Sequence, residues 1–416
     1  MTSQAIAERI AIGSPREAAA GRSRFVRDGL VLGLLTALGP FAIDMYLPSL
    51  PAIGTSLHVD ANTALLTLTA YFVTFALGQL VFGPVSDMVG RKPPLYVGVL
   101  VFLGGTVGCA LADDIRTLLV FRVVEGLGGA AGMVIARAVV RDLHSGYDEV
   151  RLLSLLMLVF SVSPVLAPLA GSFIISGTSW HTIFWLIAVL SVIGLVMAAL
   201  FVPETRTRAG RGDDFSSLLA ACRRLLSDRE FMSLTMIGAC AISGFFVFLA
   251  NSSFVFTGQY GLSPRQYSLV FSVNAVAFFA GMQLSGRLGV RYGMRRLVFA
   301  SIGGYASVMV LLTSLTAMGA DSLGLVVGLL FVGFGFVGLI VPISSVLALA
   351  DNGDVAGTAS SLMSTLQLVV GAAVMAISSR FANGTVLPLV AGVAFCAVLA
   401  FVLALLRLRS PRPSLA

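Results

Sequence analysis

Residues 83–93 read GPVSDMVGRKP and lie between two long apolar runs. They carry Asp87, Arg91 and Lys92, which hydrocarbon does not accommodate unpaired, so the segment must lie at a membrane face. Gly90, Pro93 and Pro94 predict a tight turn there rather than a helix interior. Positive charge in a short connector stays on the cytoplasmic side, so the same stretch predicts which face this is.

The composition agrees with a chain dissolved in lipid. Of 416 residues, 57% are hydrophobic and only 11% charged, with a mean hydropathy of +0.96. Soluble domains carry roughly 25% charged residues. The formal net charge of +7 does not point to nucleic acid, because the arginines fall in connectors between apolar runs. A positive-inside membrane protein accounts for that pattern. Cys109, Cys222, Cys240 and Cys396 form no CxxC pair and read as buried small residues. His58, His144 and His181 sit in connectors, with no HExxH. No metal, cofactor or enzymatic chemistry is expected. The chain also cannot supply a phosphate-binding loop, since its one lysine, Lys92, is followed by Pro93 instead of Ser or Thr.

A spanning helix needs about 20 mainly apolar residues. Twelve such runs begin near Gly29, Ala64, Leu95, Thr117, Val150, Thr182, Glu230, Arg265, Leu297, Ser322, Val355 and Thr385. The first follows an arm with Arg9, Arg16, Arg22, Arg24 and Arg27 and is read as uncleaved. Alternate connectors hold Arg91, Lys92, Arg141, Arg206, Arg208, Arg211, Arg223, Arg224, Arg229, Arg287, Arg291, Arg295 and Arg296, and the tail adds Arg407, Arg409 and Arg412. The other connectors hold little beyond Arg116, Arg265 and Arg380. Both termini are therefore expected in the cytoplasm. The expectation is an all-α membrane protein with twelve transmembrane helices in two six-helix lobes. Its parts are a cytoplasmic arm (1–28), an amino-terminal lobe (29–202), a cytoplasmic linker (203–228), a carboxy-terminal lobe (229–407) and a tail (408–416). Residues 286–296, GRLGVRYGMRR, follow the second span of the second half as 83–93 follow that of the first. A repeated connector suggests internal duplication. When Gly293 is matched to Gly90, Val290 stands where Asp87 does.

Three places in the spans could carry chemistry. Asp44 closes the first run in FAIDMYLPSLP. Counting from Gly29 at 1.5 Å per residue places it roughly 22 Å in, about 8 Å short of the far face. An acid there must be paired, hydrated or protonated, which suits proton or substrate coupling. Alternatively, Asp44 lies at the interface and caps a short helix near Pro48 and Pro51. Arg122 and Glu125, in FRVVEGLGGAAG, enter from the same face to a matching depth. They form either a self-neutralising local pair or a network that includes Asp44. The glycines that follow, from Gly126 to Gly132, allow close helix contact. Pro164, Pro168 and Gly171, in SPVLAPLAGS, give a bendable helix: a kinked packing element or a hinge between the halves. Phe245, Phe246, Phe248, Phe254 and Phe256 are candidate pocket residues, though such a run more often packs.

These residues together carry a resemblance. GPVSDMVGRKP resembles the loop between helices 2 and 3 of the major facilitator superfamily. RVVEG is similar to the fourth-helix motif, and PVLAPLAG to the fifth-helix antiporter motif, of its proton-coupled drug exporters. FAIDMYLPSLP, TSWHTIFW and AGTASSL look like the Bcr/CflA drug-resistance branch, and the likeness runs from Leu35 to Leu403. The resemblance implies a monomeric, two-lobe antiporter of a bacterial inner membrane that exports drugs against inward proton flow by alternating access. The alternative is a facilitator or symporter for a native metabolite on the same fold. By motif position, Gly83, Asp87, Gly90, Arg91 and Lys92 would form a cytoplasmic latch between lobes. Arg122 and Glu125 would handle protons with Asp44, and Pro164, Pro168 and Gly171 would form the antiporter hinge. The chain departs from the pattern at Met88, where a basic residue is common, at Glu125, where glutamine is, and at Ala167, where glycine is.

Overall fold

The structure, a computed structural model, describes residues 15–205 and 215–408. Arg9, Arg206, Arg208, Arg211, Arg409 and Arg412 lie outside the described residues. The described residues form twelve long helices: α1 (Pro15–Asp44), α2 (Ala61–Val89), α3 (Lys92–Ala110), α4 (Ile115–Leu143), α5 (Gly146–Ile175), α6 (His181–Phe201), α7 (Arg229–Gly258), α8 (Pro264–Tyr292), α9 (Met294–Ala317), α10 (Leu323–Leu349), α11 (Ala356–Ser379) and α12 (Val386–Leu408). All twelve are long and apolar enough to cross a membrane. Their membrane-crossing spans begin within four residues of the sequence reading, the largest offsets being Gly29 against Phe25, inside α1, and Val150 against Gly146.

The packing is duplicated. In the first half α1 packs on α4, α5 and α6, α2 on α4, and α3 on α4 and α6. Adding six to each number gives the main pairs of the second half: α7 on α10, α11 and α12, α8 on α10, and α9 on α10 and α12. The two lobes meet along α2 against α11 and α5 against α8, pairs that the same operation exchanges. Close helix contact in the first lobe depends on the glycines of α4. A Cβ at Gly132 would stand 2.4 Å from the Leu35 carbonyl oxygen.

The segment 83–93 is mostly helix, not an extended turn. α2 continues through Pro84 to Val89 and α3 begins at Lys92, leaving Gly90 and Arg91 as the whole connection. Prolines 93 and 94 sit in the first turn of α3, where the missing N–H has no intrahelical partner to lose. Gly90 makes the reversal with φ +100°, and Gly293 makes the equivalent one between α8 and α9 with φ +83°. Both conformations favour glycine, so the repeat survives in the backbone where the side chains have diverged.

The region between the lobes also holds a helix, Phe215–Ser227, which the sequence reading treated as linker. Its Leu225 packs in a small apolar cluster with Phe231, Leu234, Ala348, Ala359 and Met363 of the second lobe.

Candidate functional site

α1 ends at Asp44, and the chain continues through a 3-10 turn (Leu47–Ser49) and a short helix (Leu50–Ser56). The residues flanking those two elements at their starts are Tyr46 and Ser49, and neither element has a side-chain cap. Asp44 is therefore not a cap. It is 4% exposed and accepts a hydrogen bond from the Ser163 hydroxyl of α5 at 3.0 Å. Gly171, two turns further along α5, lets that helix lie against the chain just after Asp44, since a Cβ there would be 2.3 Å from the Met45 carbonyl oxygen.

Arg122 and Glu125 of α4 are both fully buried. Their separation of three residues brings Arg122 Nη1 to 2.7 Å from Glu125 Oε2. Nη1 also donates to the Ala42 carbonyl at 3.3 Å, which places Arg122 level with the end of α1, as the counted depths require. No direct bond joins Arg122 to Asp44: Arg122 pairs within its own helix, and Asp44 faces α5. The guanidinium lies between two aromatic rings, 4.3 Å from the Tyr71 centroid and 4.5 Å from that of Tyr46, with Phe184 at 5.9 Å. Ring faces attract a cation strongly where water is absent. Both rings are fixed, Tyr46 by a 2.6 Å bond to Thr67 and Tyr71 by donation to the Gly39 carbonyl at 3.1 Å. Glu125 in turn accepts from Thr106 at 3.0 Å and from the Cys109 thiol at 3.7 Å. Nε and Nη2 of Arg122 have no partner.

Asp44 connects to the join between the lobes. Downstream of Ser163, the Val165 carbonyl accepts from Ser272 of α8 at 2.8 Å and the Pro168 carbonyl from Ser268 at 2.9 Å. Arg265 Nη2 donates to Ser176 Oγ at 3.1 Å, at the same end of the molecule. The 3-10 turn after Asp44 packs on α5, α7 and α8. The proline-containing stretch of α5 thus lies in the inter-lobe contact, and its carbonyls carry the bonds.

Arg91, at the opposite end, is 5% exposed and tied to its own lobe. It reaches Asp87 at 2.6 Å, Ser86 at 2.9 Å and Asp142 of α4 at 2.8 Å. Glu204, after α6, accepts from the backbone N–H of Arg91 at 2.8 Å and of Lys92 at 3.0 Å. A carboxylate at the start of α3 complements its dipole. Gly83 lies one turn before Asp87 on α2. Arg91→Ala removes several charged hydrogen bonds at once. It is expected to lower the stability of the purified protein by about 2–3 kcal/mol, measured by denaturant unfolding in detergent. An unchanged midpoint would show that the hub contributes nothing.

Of the phenylalanine run, Phe245 and Phe248 stack inside the second lobe on Phe278 and Phe271, and Phe256 is fully buried beside Phe248. They are core. Phe246 instead meets Phe72 of the first lobe, with centroids 5.0 Å apart.

Ser163, Tyr46, Tyr71, Thr106, Cys109, Asp142 and Glu204 carry much of this geometry and were not picked out from sequence. Their residue types are ordinary in helices, and only the fold brings them together. Arg137 had a readable signal, an arginine inside the apolar run of α4. It is half-buried, and its Nε has no partner.

Comparison with known proteins bears on this arrangement. The family model described as Major Facilitator Superfamily matches residues 32–376. A bicyclomycin resistance protein homolog of Haemophilus influenzae is 32% identical over 89% of this chain and 93% of its own length. A chloramphenicol resistance protein of Pseudomonas aeruginosa is 30% identical over 79% of this chain and 76% of its own. The crystal structure of the nucleoside transporter NupG superposes with a TM-score of 0.72 at 15% identity, covering 92% of this chain and all of that one.

Proposed function

This chain belongs to the Major Facilitator Superfamily, and from that premise we propose that it is a proton-coupled antiporter that exports drugs or similar small amphipathic molecules by alternating access. It would work as a monomer in a bacterial inner membrane with both termini cytoplasmic, as the arginine distribution favours. The observation that carries the reading is the buried carboxylate of Asp44, at the end of α1, bonded to Ser163 of α5 about one turn from the carbonyls that bond the second lobe.

In this reading the end bearing Asp44 is the outer one, and it is closed. Ionised Asp44 draws the Ser163 hydroxyl; protonated Asp44 can itself donate, so one proton re-sorts the hydrogen bonds at the head of the seal. Two carboxylates in apolar surroundings, Asp44 and Glu125, give the lobe two places for a proton. Arg122, held by its tyrosines, keeps Glu125 paired while Asp44 titrates. At the cytoplasmic end, Gly83, Asp87, Gly90, Arg91 and Lys92 form the latch of the opposite state. α11 begins there, and the N–H groups of its first turn would suit the Asp87 carboxylate. Pro164, Pro168 and Gly171 supply the hinge.

Drug accumulation in cells tests the reading. Cells making the protein are expected to hold several-fold less chloramphenicol than cells with empty vector, and a protonophore is expected to abolish the difference. A difference that persists after the proton gradient is collapsed would contradict proton coupling; accumulation equal to that with empty vector would favour a facilitator, and increased accumulation a symporter.

A further inference from the structure

The two seams between the lobes differ at the end that bears Asp44. The repeat relates them: adding six to α2 and α5 gives α8 and α11, so α2 against α11 corresponds to α8 against α5. Their chemistry is not the same.

Among the described residues at this end, the hydrogen bonds that cross between the lobes all lie on α5 and α8. Ser272 donates to the Val165 carbonyl, Ser268 to the Pro168 carbonyl and Arg265 to Ser176. Arg265 is held twice more. Its guanidinium lies 5.4 Å from the Phe173 ring centroid. Ser176 is the residue that ends α5, where the helix dipole favours a cation.

The seam of α2 and α11 has no such clasp. Asn62, the second residue of α2, takes the place that Arg265 holds in α8. Its Oδ1 is enclosed and has no hydrogen-bond partner. A crevice enters this seam, with an empty volume of about 330 Å³ counted to its open mouth. Ala61 lines it from the first lobe, and Asn251, Phe254, Ser378, Thr385 and Leu389 line it from the second. Asn251 is 4% exposed and donates to the Val247 carbonyl and to Ser378, but its Oδ1 also has no partner. The ring contact that crosses on this side is apolar, Phe72 on Phe246 with centroids 5.0 Å apart. Parting α5 from α8 breaks three hydrogen bonds. Parting α2 from α11 breaks none of them and brings water to the crevice that Asn251 lines.

We propose that the outer end opens as a jaw: α5 and α8 stay joined as the hinge, α2 and α11 part, and the exported molecule leaves between them. Asn251 then offers a carbonyl oxygen to a hydroxyl or amide N–H of the departing molecule. The inference rests on the export reading above.

Tethering each seam separately tests the jaw. Ala61→Cys with Thr385→Cys puts thiols on the two sides of the crevice. Ser176→Cys with Arg265→Cys puts them across the other seam. A short, reducible, membrane-impermeant reagent with two thiol-reactive ends would be added outside intact cells. Cys109, Cys240 and Cys396 are buried, and Cys222 lies in the helix between the lobes, at the end that carries Arg91. Chloramphenicol accumulation would be read in each double variant before linking, after linking and after reduction. The matching single-cysteine variants, treated alike, are the reference for added bulk. Relative to them, the link across the crevice is expected to cut export more than about tenfold, reversibly, and the link from α5 to α8 less than about twofold. Equal loss from both links, a greater loss from the link between α5 and α8, or no loss from either would overturn the jaw. Cells making the unmodified protein that hold as much chloramphenicol as cells with empty vector would contradict the export reading instead.

Discussion

Arg122→Ala is expected to abolish proton-driven export and to destabilise the protein by about 3–5 kcal/mol, because it leaves the buried Glu125 carboxylate without its cation. The cost follows from the burial: Arg122 and Glu125 are both 0% exposed, and the pair is closed at 2.7 Å. The tyrosine faces also lose the cation they flank. Arg122→Lys keeps the charge but not the planar group that fits between Tyr46 and Tyr71, so partial stability and little transport are expected. The double variant Arg122→Met, Glu125→Gln separates the roles. Removing both charges together is expected to restore most of the stability and none of the transport. Denaturant unfolding in detergent reads the first, and drug uptake into vesicles the second. Restored transport in the double variant would mean that the pair is structural only.

Asp44→Asn is expected to reduce pH-driven drug transport by more than tenfold while changing stability by less than about 1 kcal/mol. The amide oxygen can still accept from Ser163, so the contact to α5 survives. What is lost is the ability to bind and release a proton. Full pH-driven transport by this variant would move the coupling step to Glu125.

The fold was legible because membranes impose simple rules. Twelve apolar runs, a bias in arginine placement and two glycine-centred turns are one-dimensional signals. The segment 83–93 shows the limit of such reading: Pro93, with Pro94 beyond it, looked like a turn residue, and both instead lie in the first turn of α3, where a proline costs little. Asp44, Arg122 and Glu125 were recognisable as charges inside apolar runs, but their partners were not. Depth along a helix can be counted from sequence, whereas the direction a side chain faces depends on packing. Asp44 and Arg122 lie at one level and still face different neighbours, α5 and Glu125. Ser163, Tyr71 and Glu204 gave no signal, because a hydroxyl, a ring or an acid after a helix has meaning only beside what it touches.

The central claim is that proton movement and drug movement are obligatorily opposed. Proteoliposomes containing purified protein, a pH-sensitive dye in the lumen and no initial pH difference test it directly. Chloramphenicol added on one side is expected to drive protons out of the opposite compartment as the drug enters, so the lumen becomes more alkaline with wild-type protein and stays unchanged with Asp44→Asn. Drug entry into wild-type vesicles without a change in lumenal pH, or with acidification, would contradict antiport.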